Sequence, residues 1–134
     1  MCPFCDSKDK PVKENELAQV FLSDPHKVPG HVLVMPKRHI EQPWELTNEE
    51  LKACFDLIYL VEQRFMGKLG DGFDIRQSFW PFRQGNLKAS HILFHVIPRS
   101  ENDYLFRLSD GKNPEDLYAD LDEVEGDAVA RLLA

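Results

Sequence analysis

Two histidines, His91 and His95, lie four residues apart in a run of apolar residues. An imidazole can bind a metal, exchange a proton near neutral pH or act as a nucleophile. β-Branched and aromatic residues dominate this run, so it predicts a buried strand from Ser90 to Arg99. On such a strand His91, Leu93 and His95 share one face, and the two histidines are about 13 Å apart. They cannot share one metal ion at that distance, so we expect them to do separate jobs.

A second chemical pattern is the pair Cys2 and Cys5, a C-x-x-C at the N-terminus. Two thiolates at this spacing are half of a tetrahedral zinc site. The alternative is a pair of loose cysteines at a frayed terminus. The third cysteine, Cys54, falls at an apolar helix position and is expected in the core. Three cysteines and no signal peptide predict a cytoplasmic protein without a disulfide framework.

The elements that must position these residues can be read from hydrophobic patterns. Apolar runs predict strands at residues 17–22, 31–35 and 73–79. Thr47 and Glu50 fit a capping box that begins a helix. The apolar residues of that helix recur at i, i+3 and i+4, at Leu51, Cys54, Phe55, Ile58, Val61 and Phe65.

The C-terminal part of the chain has a different composition. Asn113-Pro114 predicts the start of a final helix through Leu117, Leu121 and Val124. The acidic stretch from residue 120 to 127 is expected on a solvated face of that helix.

The bulk composition excludes several classes of protein. A chain of 134 residues is long enough for one domain with a real core. Its net charge of −7 argues against a nucleic-acid or anionic-membrane partner. No segment approaches the roughly 18 apolar residues that cross a bilayer.

Two segments together carry a family resemblance. Residues 29–40, PGHVLVMPKRHI, are followed about 50 residues later by His91-x-x-x-His95-Val-Ile-Pro-Arg. The combination resembles the histidine-triad (HIT) family over residues 1–100, and the C-x-x-C resembles its zinc-containing branch. The resemblance implies an α+β fold, with an antiparallel sheet of about five strands and one long helix packed on it. Residues 101–134 would then be a C-terminal extension, with a helix, packed on the same domain.

The same resemblance implies a function. HIT proteins commonly form homodimers and bind nucleotides, here AMP-like or GMP-like, beside the histidine strand. Their activities are nucleotidyl hydrolysis or transfer on nucleoside phosphoramidates or dinucleoside polyphosphates. In the family pattern His-x-His-x-His, the central histidine attacks the α-phosphate.

This chain departs from the family at that central position, which is Leu93. Leucine has no lone pair and cannot act as a nucleophile. Just upstream, Leu87 and Lys88 replace a glutamine and a serine of many members, although Lys88 can still contact a phosphate as a point charge. Leu93 is either natural in a protein that does not use this nucleophile, or a change introduced to trap a nucleotide. His95 as a substitute nucleophile is disfavoured by its position.

Two functions therefore stay open. The first is a nucleotidyl hydrolase or transferase whose turnover is impaired by Leu93. The alternative is a non-catalytic nucleotide-binding sensor or partner module. A zinc-stabilised scaffold without a ligand is a third and weaker reading.

The resemblance also implies a set of site residues. It assigns Cys2, Cys5, His39 and His91 to a closed, structural zinc site, and His95 to the phosphates. It places ribose contacts at Ser23 and Asp24, for which a simple turn before Pro25 is the alternative. Phe21 could line the base pocket, although an aromatic residue in a strand is more often core. His31, at the start of a core strand, is expected to be a satisfied structural histidine.

Overall fold

Five strands form one antiparallel sheet in the structure, a computed structural model that describes residues 10–24, 26–83, 91–101, 103–108 and 119–134. The strands are β1 (Lys13–Glu14), β2 (Ala18–Leu22), β3 (Val32–Pro36), β4 (Gly72–Arg76) and β5 (Phe94–Arg99). Their spatial order is β1-β2-β3-β5-β4, and every neighbouring pair is antiparallel. The predicted α+β fold with about five antiparallel strands is confirmed.

The central strand β3 is buried along its whole length. Its residues alternate between the two faces of the sheet. Val32 and Val34 belong to the larger apolar core, whereas Leu33 and Met35 belong to a smaller cluster. The sheet therefore has a face covered by a helix and a second face with its own apolar patch.

Helix α1 (Asn48–Phe65) covers the first face. It begins with the predicted capping box, in which the Glu50 amide donates to Thr47 Oγ1 at 3.1 Å and the Thr47 amide donates to Glu50 Oε1 at 3.0 Å. The buried apolar side chains of α1 pack against the valines and the alanine of β2 and β3. These helix residues are Ala53, Cys54, Leu57, Ile58 and Val61. Cys54 is fully buried, as expected, but Leu51 is 41% exposed and lies off the apolar face. The chain leaves the helix at Gly67, whose φ of 77° favours glycine.

Strand β4 is shorter than the predicted strand over residues 73–79. It pairs with β5 from Gly72 opposite Arg99 to Arg76 opposite His95. Because β5 begins at Phe94, the partner of β4 runs out just after Arg76. A 3₁₀ turn follows at Pro81–Arg83.

Two helices follow the sheet, α2 (Tyr104–Leu108) and α3 (Glu123–Leu133). Arg99 at the end of β5 donates to Asp103 at 2.6 Å, immediately before α2. Helix α3 includes Val124 of the predicted C-terminal helix, but Leu121 lies outside it, because residues 119–122 are not helical and Asp122 caps α3 by accepting from the Glu125 amide at 2.8 Å. The predicted start lies outside the described residues. None of the residues of α3 is buried.

No described helix is both long and apolar enough to span a membrane. The predicted division of the chain at residue 100 stays a prediction.

Candidate functional site

The histidine segment is only partly a strand. The prediction of one strand from Ser90 to Arg99 is wrong for His91 and Leu93, because β5 begins at Phe94. Continuing the register past Val34 and Phe94 would set Pro36 opposite Ile92, and proline has no N–H to give to a ladder. Ile92 instead donates its amide to the Ile40 carbonyl at 2.6 Å. The 13 Å separation, which assumed an extended strand, therefore no longer carries the argument for two sites.

A row of side chains nevertheless crosses the second face of the sheet. Phe21 of β2 lies opposite Leu33 of β3, Leu33 lies opposite His95 of β5, and His95 lies opposite Arg76 of β4. Opposed residues of antiparallel strands project from the same face. The row therefore places an aromatic ring, an imidazole and a guanidinium along one line across four strands.

Leu93 lies beside this row and is partly buried. It packs against the cluster of Phe21, Leu33 and Met35, all of which are buried. The residue at the expected nucleophile position is thus part of an apolar patch. The next strand residue on that face is His95, which is half-buried.

His95 is hydrogen-bonded to a second histidine. Its Nδ1 lies 2.9 Å from Nε2 of His31, and the ring centroids are 5.1 Å apart. His31 is 4% exposed and comes immediately before β3. The expectation that His31 is buried and satisfied is confirmed, but the partner that satisfies it is a residue of the candidate site.

Positive groups surround the two histidines. Burial, with smaller contributions in the same direction from His95, Lys27, His26 and Arg76, lowers the pKa of His31 from 6.5 to about 4. Burial also lowers the pKa of His95, with Lys27 and Arg76 adding to the effect. Both rings are therefore neutral at pH 7, in a locally cationic part of a protein with a net charge of −7. Such a neighbourhood favours an anion.

The structure brings some of the other predicted substrate residues near this pair. Phe21 is buried within the row, and Ser23 donates its amide to the His31 carbonyl at 3.1 Å. Asp24 is exposed in the loop after β2. Lys88 lies outside the described residues.

A second pair of histidines lies past the other end of β3. The rings of His39 and His91 meet edge to face, with centroids 5.2 Å apart. His91 is 4% exposed, and its Nε2 donates to the Pro36 carbonyl at 2.8 Å. Burial lowers the pKa of His91, with the Pro36 contact opposing this effect. The neutral ring therefore has its lone pair on Nδ1.

This second pair fits half of the predicted zinc site in its chemistry. A carbonyl that holds one ring N–H, with a lone pair on the other nitrogen, is the usual arrangement of a zinc-ligating histidine. Cys2 and Cys5 lie outside the described residues. Among the residues that are described, no group of three or more potential metal ligands is found.

Comparisons with known proteins place the chain in a family. The HIT domain family model matches residues 6–102. An uncharacterised HIT-like protein of Methanocaldococcus jannaschii is 35% identical over 131 residues, which are 92% of this chain and 95% of that protein. The chain belongs to the HIT domain family.

Two further relatives have named activities. The adenosine 5'-monophosphoramidase of Schizosaccharomyces pombe is 28% identical over 77% of each chain. The asymmetrical bis(5'-nucleosyl)-tetraphosphatase of the same organism is 27% identical over 88% of this chain and 60% of that protein. A crystal structure of a HIT family member from Bacillus subtilis matches with a TM-score of 0.65 and 25% identity, over 99% of this chain and 97% of that one.

Proposed function

We propose that this protein binds a nucleotide on the second face of the sheet, with the phosphate end at His95. The observation that carries the proposal is the row of Phe21, Leu33, His95 and Arg76 beside the neutral pair of His31 and His95. An apolar end suits a base, and a cationic end with a hydrogen-bonding imidazole suits a phosphate. Membership of the HIT family supports a nucleotide ligand.

The reaction type we propose is that of a nucleotidyl hydrolase or transferase. Relatives named as a phosphoramidase and a tetraphosphatase support the class of nucleoside phosphoramidates or dinucleoside polyphosphates. Turnover through a covalent intermediate at position 93 is impaired in this chain, because leucine cannot form one. Ground-state binding does not need that bond and is retained.

A non-catalytic nucleotide-binding module is the second candidate. One observation favours it: Leu93 packs with Phe21, Leu33 and Met35, so its side chain is part of a formed apolar cluster. A leucine that contributes to packing fits a chain that does not use a nucleophile at this place.

One experiment separates the two functions. AMP binding is measured by calorimetry, and adenosine phosphoramidate hydrolysis by ammonia release, for the protein and for Leu93→His. We expect the protein to bind AMP without efficient turnover. Hydrolysis gained in Leu93→His supports an enzyme that lacks its nucleophile, whereas binding without hydrolysis in both supports the module.

The matched control places the same new histidine elsewhere. Leu51→His changes an exposed leucine on α1 and should give no hydrolysis. If neither the protein nor Leu93→His binds AMP, the proposed function is wrong.

We also propose the structural zinc site formed by Cys2, Cys5, His39 and His91. Bound zinc would tie the N-terminal segment to the sheet, since His39 and His91 flank the β3–β5 pair. Cys5→Ser should lower the zinc content measured by mass spectrometry of the purified protein. Cys54→Ala is the control, since burial raises the pKa of Cys54 to about 12 and keeps it a thiol. Unchanged zinc in Cys5→Ser would contradict this site.

A further inference from the structure

We propose that Trp80 and Phe82 form an aromatic platform on which a second nucleobase stacks, beyond the phosphates of the nucleotide proposed above. The ligand is then a dinucleoside polyphosphate, in which a chain of phosphates joins two nucleosides. This inference rests on the proposed nucleotide binding and adds to it the group that lies on the far side of the phosphates.

The rings of Trp80 and Phe82 are stacked and exposed. Their centroids lie 5.9 Å apart, and their planes differ by 20°. Phe82 is 80% exposed and Trp80 is 44% exposed. Pro81 lies between them at the start of a 3₁₀ turn and fixes its own φ. The rings are therefore already ordered, and a flat base can stack on them without the entropic cost of assembling the platform.

The directions of the strands decide at which end of the sheet the platform lies. Strands β3 and β4 are both antiparallel to β5, so they run in the same direction and leave the sheet at the same end. Leu93 comes just before β5, which begins at that end. The platform, which follows β4, is therefore at the end of the sheet where the expected nucleophile position is found.

The alternation of side chains decides on which side of the sheet the platform lies. Arg76 of β4 is opposite His95, on the second face. No turn or bend occurs in residues 77–80, all of which the structure describes, and the proline after Trp80 keeps that residue extended. Counting in twos from Arg76 puts Trp80 on the second side and Phe79 on the first.

A ring contact of Phe79 agrees with this assignment. Phe79 meets Trp44 edge to face, with centroids 5.3 Å apart. Trp44 lies in the 3₁₀ turn Pro43–Glu45, shortly before α1, the helix that covers the first face. Phe79 is therefore directed toward the side of α1, and Trp80, its neighbour in an extended segment, is directed away from it.

The platform continues the row of side chains that crosses the second face. That row ends at Arg76 on the edge strand β4, and four residues of chain allow at most about 14 Å between the Cα atoms of Arg76 and Trp80. The side chain of Arg76 is 45% exposed between the two. Phosphates that lead from His95 past this guanidinium would bring a second base to the platform.

This order of groups selects between the two proposed substrate classes. An aromatic ring, a cation and a second aromatic group match a base, a phosphate chain and a second base. The leaving group of a simple nucleoside phosphoramidate is an amine without a ring, so the platform adds nothing to its binding. A contact between two copies of the chain is the other use for exposed rings. Arg76 favours the base, because its charge complements phosphates and not an apolar surface.

Calorimetry with three ligands tests the platform. AMP reports the first nucleotide site alone. Adenosine 5'-tetraphosphate and diadenosine tetraphosphate have the same number of phosphates, and the second of them also has a second base. We expect the protein to bind diadenosine tetraphosphate at least about 5-fold more tightly than adenosine tetraphosphate, as for one stacked base. The extra terminal charge of adenosine tetraphosphate acts against this result at a cationic site, which makes the comparison stringent.

Three variants assign the preference to the platform. Phe82→Ala should bring the two tetraphosphate affinities to within about 2-fold of each other, and Phe82→Tyr, which keeps a ring, should retain the preference. Tyr59→Ala is the control, because it removes another exposed aromatic residue, 53% exposed on α1, and should leave the preference unchanged. Circular dichroism checks that each variant is folded.

Tryptophan fluorescence gives a direct readout of stacking. The chain has two tryptophans, so Trp44→Phe leaves Trp80 as the sole source of the signal. Diadenosine tetraphosphate should quench this fluorescence, whereas AMP should leave it unchanged.

The outcomes separate this inference from the proposed function. Equal affinities for the two tetraphosphates in a protein that binds AMP, or a preference retained in folded Phe82→Ala, would overturn the platform and leave nucleotide binding in place. Loss of a dimer in sedimentation of Phe82→Ala, with the preference unchanged, would assign the rings to a contact between copies. If none of the three ligands binds, the proposed function is wrong and the platform is rejected with it.

Discussion

Burial changes the pKa values of single histidines in the site relative to those of exposed histidines. His31 is the strongest case, because burial holds its pKa at about 4, against 6.5 for an exposed histidine. A lowered pKa means that the unfolded chain binds the proton more tightly than the folded one does. The folded state must therefore lose stability as the pH falls from about 6.5 to 4.

The first prediction follows from this loss of stability at low pH. Between pH 7 and pH 4 the free energy of unfolding should fall by about 1–3 kcal/mol more in the protein than in His31→Gln. Urea unfolding at several pH values measures both curves. His91 also has a lowered pKa but does not form this pair, whereas His95 contacts His31, so the difference between the two curves reports the coupled pair of His31 and His95. Parallel curves would contradict the prediction.

A second prediction at this scale concerns Gly30. A Cβ at this position would meet Leu69 Cδ1 at 2.9 Å and Pro98 Cγ at 3.1 Å, and its φ of 88° disfavours any L-residue. Gly30→Ala should therefore lower the free energy of unfolding by about 1–3 kcal/mol. Gly72→Ala is the matched control, since nothing lies within 4 Å of its Cβ. Thermal unfolding of both variants checks this, and an equal loss in the two would refute it.

Residue types predicted some residues of the site but not the contacts between them. The spacing of His91 and His95 and the leucine between them are visible in the sequence. That His31 is the partner of His95 is not, because the two are 64 residues apart and meet only through the pairing of β3 with β5. The one sequence feature that could have indicated it is the histidine placed at the start of a strand otherwise made of apolar residues.

Among the elements, α1 was the most predictable. Its capping box and its i, i+3, i+4 pattern are local, and both are present in the structure. The ends of β4 and β5 could not be predicted from local sequence, because each strand ends where its hydrogen-bonding partner strand ends. Pro36 of β3 and the departure of residues 91–93 from the ladder decide them.

The third prediction tests the start of α1. Thr47→Ala removes the side chain that accepts from the Glu50 amide, and should cost about 1 kcal/mol of stability. Thr47→Ser keeps the hydroxyl and should cost much less. Urea unfolding at pH 7 measures both, and equal losses would show that the cap is not the cause.

The fourth prediction concerns Glu50, which also forms a pair with Arg38 at 2.8 Å. The Arg38 hydrogen bond is the main cause that lowers the pKa of Glu50 to about 2 from 4.5. The pair therefore contributes stability above pH 4.5 that is lost as the pH falls through 2. Glu50→Gln should cost about 1–2 kcal/mol at pH 7, after allowing for solvent screening by the exposed partner.

The measurement for Glu50 is urea unfolding at pH 7 and pH 2.5. The difference between Glu50→Gln and the unmodified protein should shrink at the lower pH. Glu49→Gln, on the exposed side of the same turn, is the control and should change little. A difference that is constant with pH would contradict the ion-pair explanation.

At the scale of the whole molecule, α3 leaves several large apolar side chains in contact with solvent. Val124, Leu132 and Leu133 are 78%, 86% and 85% exposed. Leu132 and Leu133 are neighbours in the last turn of α3, and exposed leucines grouped in this way are candidates for an association surface. The homodimer is a proposal, and this surface is what we expect it to use.

The fifth prediction follows. Sedimentation of the full chain should give a dimer, and the double change Leu132→Glu with Leu133→Glu should give a monomer with the same fold by circular dichroism. Glu123→Gln with Glu125→Gln, on the same helix, is the control and should stay dimeric. A monomeric full chain, or a dimer that survives the leucine changes, would contradict this role of α3.

The fold class could be predicted at this scale because residues 29–40 and 91–99 resemble the motifs of one family. The order of the strands in the sheet could not be predicted. The sequence does not show that β5, the last strand, enters between β3 and β4. That insertion is what brings His31 to His95 and His39 to His91.

The same insertion has a kinetic consequence. Both histidine pairs close loops of more than 50 residues, from 39 to 91 and from 31 to 95. Contacts between residues so distant in sequence form late in folding, because the chain must first give up the entropy of the whole loop. Helix α1 and the β2–β3 hairpin are local and can form earlier. During refolding, an imidazole signal from His31 should therefore reach its native value after the helix signal has done so, which makes it a reporter of the final step of folding.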